Sequence, residues 1–292
     1  GDSQALSGVN VNSSNGIAFG GSTYSANSQT FVAGSASNDF DLTAGATTTF
    51  SGSGDISFSN GRIDLDNGSN LVITSTGGAI SVPEIQGDSD EDVTLNANGA
   101  LGLAAIGDGT GINDVSLSGA TINLSGNVQT SDDGSDNGLI NVNGTAVVTS
   151  DITLNSSGGG GNITFTSTLD DDASGSSNRT LTLNAGTGGD IAMQGVVGGG
   201  VPLSSLVISN AKDVTFSNTS NVNGALTQTA GAGTTTFSGA ASAGSYDITA
   251  TTGIVSSSTL TATGGGNILL ASDELNFGGG ANSIIGTGNL TL

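Results

Sequence analysis

The chain has 292 residues, with 50 glycines, two prolines and no cysteine or histidine, and 25 acids against three bases give a net charge of −22. This composition excludes disulfides, thiol and imidazole chemistry and the common zinc ligands. It also argues against nucleic acid as a partner, because phosphate binding needs clustered lysine and arginine, whereas Arg62, Arg179 and Lys212 are scattered. Hydrophobic residues make up 34% of the chain, and together with the glycines they reach the apolar share of an ordinary folded protein.

Short segments with alternating apolar and polar residues recur along the chain, and each predicts a half-buried β-strand. In chain order they are DISF at 55–58, RIDL at 62–65, DVTL at 92–95, DVSL at 114–117, TINL at 121–124, DITL at 151–154, NITF at 162–165, TLTL at 180–183 and DVTF at 213–216. Turn-forming dipeptides such as NG, SG, GG and DG separate these segments. No comparable 3.6-residue period occurs, so we expect almost no helix.

Two duplicated strings indicate the length of a structural repeat. TTTFSG occurs at 47–52 and again at 234–239, and FDLTA at 40–44 resembles YDITA at 246–250. FDLTA begins 7 residues before the first TTTFSG, and YDITA begins 12 residues after the second. Two fixed positions on a closed circuit of about 19 residues explain both spacings.

These patterns predict an all-β fold, a right-handed parallel β-helix (a β-solenoid) with about 19–21 residues per coil. We expect a single continuous solenoid over residues 1–292, with about 14 coils and a length of about 65 to 70 Å. The aromatic residues predicted to fill its interior, coil above coil, are Phe19, Phe31, Phe50, Phe58, Phe165, Phe216, Phe237 and Phe277.

Several repeat segments resemble a known family. DVTLNANGALGLAAIG, DITLNSSGGGGNITF and TLTLNAGTGGDIAMQG are similar to the degenerate repeats of filamentous-haemagglutinin-type exoproteins of Gram-negative bacteria. NSSNGIAFGG at 12–21 is similar to that family's asparagine-rich NPNG segment, although the proline is missing here. The resemblance implies a long secreted or cell-surface adhesin.

Three acidic clusters, at 87–92, 131–136 and 169–178, are candidate calcium sites, because hard cations prefer several carboxylate and carbonyl oxygens. The first has the D-x-D-x-D opening of an EF-hand loop but lacks its later glycine and glutamate. The alternative is that the clusters are solvated loops that bulge from the coils. The candidate ligands are Asp88, Asp90, Asp92, Asp132, Asp133, Asp136, Asp170, Asp171 and Asp172.

The sequence does not predict an enzyme. Carboxylates that could hydrolyse a glycosidic bond exist, but there is no histidine, and the three bases are dispersed. A binding module is the alternative to a structural role. Pairs of the form T-x-T, at 164, 180, 227, 234, 249 and 259, resemble the outward threonines with which several ice-binding proteins present a flat face, and a carbohydrate-binding face is a related possibility.

The main prediction is therefore a structural, extracellular β-solenoid that forms the shaft or surface of a bacterial adhesin or a self-stacking filament. Segments with the alternation of a β-strand lie near both ends of the sequence, GVNVN at 8–12 and NLTL at 289–292. We expect both ends to continue, either covalently into further coils or by head-to-tail association of copies. A surface glycan or protein receptor is a further expected partner, and we expect no nucleic acid and no membrane span.

Overall fold

The computed structural model describes residues 6–66, 68–88, 91–107, 111–131, 138–172 and 178–292. Among these residues it contains only strands and connecting turns, with no helix. The first sixteen strands are β1 (Val9–Asn12), β2 (Ile17–Phe19), β3 (Thr23–Ser25), β4 (Gln29–Val32), β5 (Asp39–Leu42), β6 (Thr48–Gly52), β7 (Ile56–Ser59), β8 (Arg62–Leu65), β9 (Leu71–Ser75), β10 (Ile80–Val82), β11 (Ile85–Gly87), β12 (Glu91–Ala97), β13 (Ala100–Leu103), β14 (Ile112–Leu124), β15 (Val128–Gln129) and β16 (Ile140–Val148). The others are β17 (Ile152–Asn155), β18 (Ile163–Phe165), β19 (Leu169–Asp171), β20 (Thr180–Asn184), β21 (Ile191–Met193), β22 (Ser205–Asn210), β23 (Val214–Phe216), β24 (Ser220–Gln228), β25 (Thr234–Phe237), β26 (Ala241–Thr249), β27 (Gly253–Ser256), β28 (Leu260–Ala262), β29 (Ile268–Ala271), β30 (Leu275–Phe277), β31 (Ile284–Ile285) and β32 (Leu290–Thr291).

The strands stack in parallel as a β-solenoid of about 12 turns, which confirms the predicted fold. Each turn has three faces. Face 1 starts with β1, β4, β7 and β10, face 2 with β2, β5, β8 and β11, and face 3 with β3, β6, β9 and β12. Several later strands are long enough to turn a corner and contribute to two faces, as β14, β16, β24 and β26 do.

The coils differ in length. Ala241 pairs with Leu260, a step of 19 residues, whereas Leu169 pairs with Val197, a step of 28. Steps near 20 occur where the corners are tight, and longer steps include loops inserted at the corners. These insertions explain why the chain forms about 12 turns instead of the 14 that the uniform repeat predicts.

The core consists of inward side chains stacked in columns. The innermost column of face 3 contains Tyr24, Phe50, Ile73, Leu95, Leu117, Val142, Phe165, Met193, Phe216, Phe237, Ser256 and Phe277. The two TTTFSG copies therefore occupy equivalent positions, since Phe50 and Phe237 lie in the same column. FDLTA and YDITA both lie on face 2, in β5 and β26, but they are offset by two residues, since Phe40 lies in the column of Ile248.

The predicted inward phenylalanines are buried with one partial exception. Seven of the eight are at most 4% exposed, and Phe277 packs against the core from the last coils. The prediction did not name Phe40, which is fully buried on face 2.

Tight corners bring backbones so close that some glycines cannot be replaced, as a Cβ on Gly266 would lie 1.6 Å from the carbonyl oxygen of Gly244.

Candidate functional site

An Asp or Asn immediately before a strand, or near its start as in β12 and β14, binds the next coil, a role that sequence reasoning missed. Its Oδ1 accepts the backbone N–H of a residue one turn later, at N···O distances of 2.6–3.2 Å. We call this set the Asx ladder. Its acceptor–donor pairs are Asp55–Ala79, Asn70–Asp92, Asp92–Asp114, Asp114–Leu139, Asn127–Thr153, Asp151–Thr180, Asn162–Asp190, Asp190–Asp213, Asp213–Thr234 and Asn267–Asn289. Six of the 25 acids in the chain therefore have a structural function in this ladder.

The first acidic cluster lies at the corner between faces 2 and 3. Asp92 belongs to the Asx ladder, and Asp88 donates its backbone N–H to Oε2 of Glu91 at 3.1 Å. Glu91 is fully buried, and its Oε1 also accepts the N–H of Gly68 at 3.0 Å. Glu91 thus connects two neighbouring corners, whereas Asp90 lies outside the described residues.

The third acidic cluster is also held by backbone bonds. Asp171 is only 2% exposed, and its carboxylate accepts the N–H groups of Asp172 and Arg179. Asp172 forms an ion pair of 3.5 Å with Arg179, and Asp170 accepts the N–H of Gly200 at 2.8 Å. The second cluster, with Asp132, Asp133 and Asp136, lies outside the described residues. Calcium binding by these clusters stays a prediction.

A group of carboxylates on face 2 was not predicted, because residues 23 positions apart meet only through coil register. One oxygen from each of Asp39, Asp41 and Asp64 lies within 4.8 Å of the others. Asp41 and Asp64 are directly opposite in the β5–β8 ladder, and Arg62 contacts Asp39 at 3.3 Å and Asp64 at 3.2 Å. We call these four residues the carboxylate cluster. It offers three carboxylates where calcium takes six to eight oxygens, and Arg62 already pairs with two of them.

Electrostatics in this cluster disfavours full ionisation. Burial, followed by the nearby charges of Asp39 and Asp64, raises the pKa of Asp41. Burial and the charge of Asp64 likewise raise the pKa of Asp66. Like charges at facing positions of a sheet destabilise it, so this part of face 2 is under electrostatic strain at neutral pH.

Face 3 presents a different surface, which we call the neutral grid. It comprises two adjacent columns of outward side chains, each twelve residues long and none of them buried. The first column is Thr23, Thr49, Val72, Thr94, Ser116, Asn141, Thr164, Ala192, Thr215, Thr236, Val255 and Asn276. The second is Ser25, Ser51, Thr74, Asn96, Ser118, Asn143, Thr166, Gln194, Ser217, Ser238, Ser257 and Gly278.

The neutral grid differs from the threonine surface that the sequence suggested. The six T-x-T pairs are dispersed, since Thr164 and Thr236 point outward from face 3, Thr182 and Thr227 from face 2, and Thr261 from face 1. The usable sequence signal was instead the tripeptide TFS, which occurs at 49–51, 215–217 and 236–238. In each copy the phenylalanine is inward and the two hydroxyl residues are outward.

Comparisons with protein-family models, with curated proteins and with solved structures found no match to the chain. The resemblance to filamentous-haemagglutinin-type exoproteins therefore stays a prediction. Among the described residues, no helix has the length and apolarity that a membrane crossing requires.

Proposed function

We propose that this protein is a structural β-solenoid that forms the shaft or surface of a bacterial adhesin or of an extracellular filament. The observation that carries the proposal is the continuous stack of about 12 turns. Inward side chains from all along the stack form one hydrophobic cluster, and the Asx ladder adds bonds between successive coils. In such repeat architectures each unit contacts only its neighbours. Each added coil therefore lengthens the rod. The resemblance of the repeats to bacterial exoproteins supports an extracellular location.

The two terminal regions support a role in end-to-end extension. No side chain in residues 6–38 or 275–292 is charged, although the chain as a whole has 25 acids and three bases. Leu290 and Leu292 are 50% and 65% exposed at one end, and Leu6 is 62% exposed at the other. Near Leu6, an apolar hollow of about 410 Å³ opens beside Phe19 and Phe31. The proposal includes further coils that stack on both terminal coils, contributed by a longer chain or by a second copy.

Sedimentation of the 292-residue chain tests end-to-end stacking. The isolated chain is expected to form larger species as its concentration rises, because open parallel strand edges recruit further strands. Leu290→Asp places a charge on an inward position of the last coil, where Leu290 pairs with Ile268, and it should leave only single units.

Leu269→Asp is the matched control. Leu269 is an outward residue of β29 and is 38% exposed, so this variant should still associate. Single units of the unmodified chain at every concentration would contradict stacking between copies, and equal loss in both variants would show a non-specific effect of charge.

A further inference from the structure

The neutral grid is unusual because it lacks charge in a strongly acidic protein. None of its 24 residues is Asp, Glu, Lys or Arg, whereas the chain has 25 acids and three bases. Face 2 carries the carboxylate cluster, and the Asx ladder places aspartates on face 3 beside the first column, two residues before four of its members, whereas both columns themselves stay neutral from the first coil to the last. These flanking aspartates are Asp92, Asp114, Asp190 and Asp213.

Apart from that of Thr166, which also reaches the carbonyl oxygen of Val142 at 3.5 Å, the hydroxyl groups of the grid form no hydrogen bond within the described part of the chain. Thr166 donates to Oδ1 of Asn143 at 2.8 Å, and this is the only side-chain pair that the grid forms with the described residues. Thr94, Thr164 and Thr215 in the first column and Ser217 in the second have no side-chain partner within the described chain. Each hydroxyl offers one donor and two acceptor sites, and these sites point into solvent.

The spacing of the grid suits bonding through water. Neighbouring coils are about 4.8 Å apart along the axis, and the two columns are about 6.6 Å apart across each strand. A water molecule that binds two hydroxyl oxygens at about 2.8 Å with tetrahedral geometry holds those oxygens about 4.6 Å apart. Equivalent hydroxyls on successive coils therefore lie at nearly the distance of second neighbours in a tetrahedral water network.

We propose that the neutral grid binds the surface of ice. Charged side chains organise water around themselves, whereas the hydroxyl, amide and methyl groups of the grid can join an existing tetrahedral network. The solenoid fixes these groups in place before binding, so little ordering entropy opposes the contact, and twelve coils repeat a weak interaction along one rigid surface. This function is additional to the structural role, and it does not depend on association of the ends.

A neutral polysaccharide is the other ligand that a hydroxyl-rich surface could bind. Sugar sites are commonly built with aromatic side chains that cover the apolar face of a ring, and the grid contains none. Its two valines and one alanine are small and separated by several coils. The composition therefore favours ordered water over sugar rings.

Ice partitioning tests the proposal directly. The fluorescently labelled chain is mixed with growing polycrystalline ice, and the fraction in the ice is compared with that in the liquid. The unmodified chain is expected to concentrate in the ice, and the double variant Thr94→Glu, Thr215→Glu is expected to lose this enrichment, because it places two charges and two larger side chains in the first column.

The double variant Thr182→Glu, Thr227→Glu is the matched control. Thr182 and Thr227 are outward, half-buried strand residues of face 2, so the control adds equal charge away from the grid and should keep the enrichment. Circular dichroism establishes that both variants are folded.

Exclusion of the unmodified chain from ice, or equal enrichment of both double variants, would overturn the proposal. Loss of enrichment in both folded variants would overturn the assignment to face 3. Binding to insoluble cellulose without enrichment in ice would assign the grid to a neutral polysaccharide instead.

Discussion

Replacing Phe237 tests the inward stacking on which the fold depends. Phe237 is fully buried, stacks on Phe216 with ring centroids 4.8 Å apart, and meets Tyr246 edge-on at 6.4 Å. The next residue in the column is Ser256, which is too small to fill the space that a truncated side chain would leave. Phe237→Ala is therefore expected to lower the free energy of unfolding by about 3–5 kcal/mol.

Phe237→Asp is a stronger form of the same test. It would bury a carboxylate in an apolar column, and no lysine or arginine follows Lys212 in the chain, so we expect unfolding or aggregation. Thr236→Asp is the control, because the neighbouring side chain points outward and its replacement should change stability by less than about 0.5 kcal/mol. The measurement is urea unfolding followed by circular dichroism. An unchanged midpoint for Phe237→Asp would refute the inward assignment.

Three further predictions concern the acidic residues. Asp213→Ala removes the acceptor for the N–H of Thr234 and should lower the urea midpoint, by about 1–3 kcal/mol of unfolding free energy, whereas Asp213→Asn should retain most stability; equal effects of both would argue against the Asx ladder. Asp41→Asn should raise the melting temperature at pH 7, because a raised pKa means that folding favours the protonated carboxyl and that stability is lost as pH rises through that pKa. The gain should vanish well below pH 3.8, the ordinary value, and a destabilised variant at pH 7 would contradict this reasoning. If the acidic loops are only solvated, millimolar calcium should leave the melting temperature almost unchanged, and a saturable rise of many degrees would demonstrate specific sites.

Local alternation was sufficient to predict the fold. Segments such as DITL and NITF became β17 and β18 with their apolar residues inward, because a period of two places alternate side chains on opposite sides of any strand. The TTTFSG copies gave the correct relative position on the coil, whereas FDLTA and YDITA share a face but are offset by two residues, because Phe40 aligns with Ile248. The number of turns could not be obtained in this way, because loops inserted at corners have no regular length.

The functional surfaces depend on register, which the sequence alone does not supply. Asp41 and Asp64 are 23 residues apart, and only the β5–β8 pairing places them face to face. Similarly, Thr94 and Thr215 belong to one column only because the pairing register of face 3 is maintained through every intervening coil. The Asx ladder left a visible signal, a recurrent Asp or Asn before the strand, but that residue is equally common as a turn former.

Electron microscopy of the purified 292-residue chain at increasing concentration is the most direct test of the extended, stacking solenoid. One copy should appear as a rod about 55 to 60 Å long, since about 12 turns repeat every ~4.8 Å. We expect rods of several such lengths at high concentration, with the ~4.8 Å axial repeat continuing across the junctions. Compact particles would contradict the extended solenoid, and rods of a single unit length at every concentration would contradict stacking between copies.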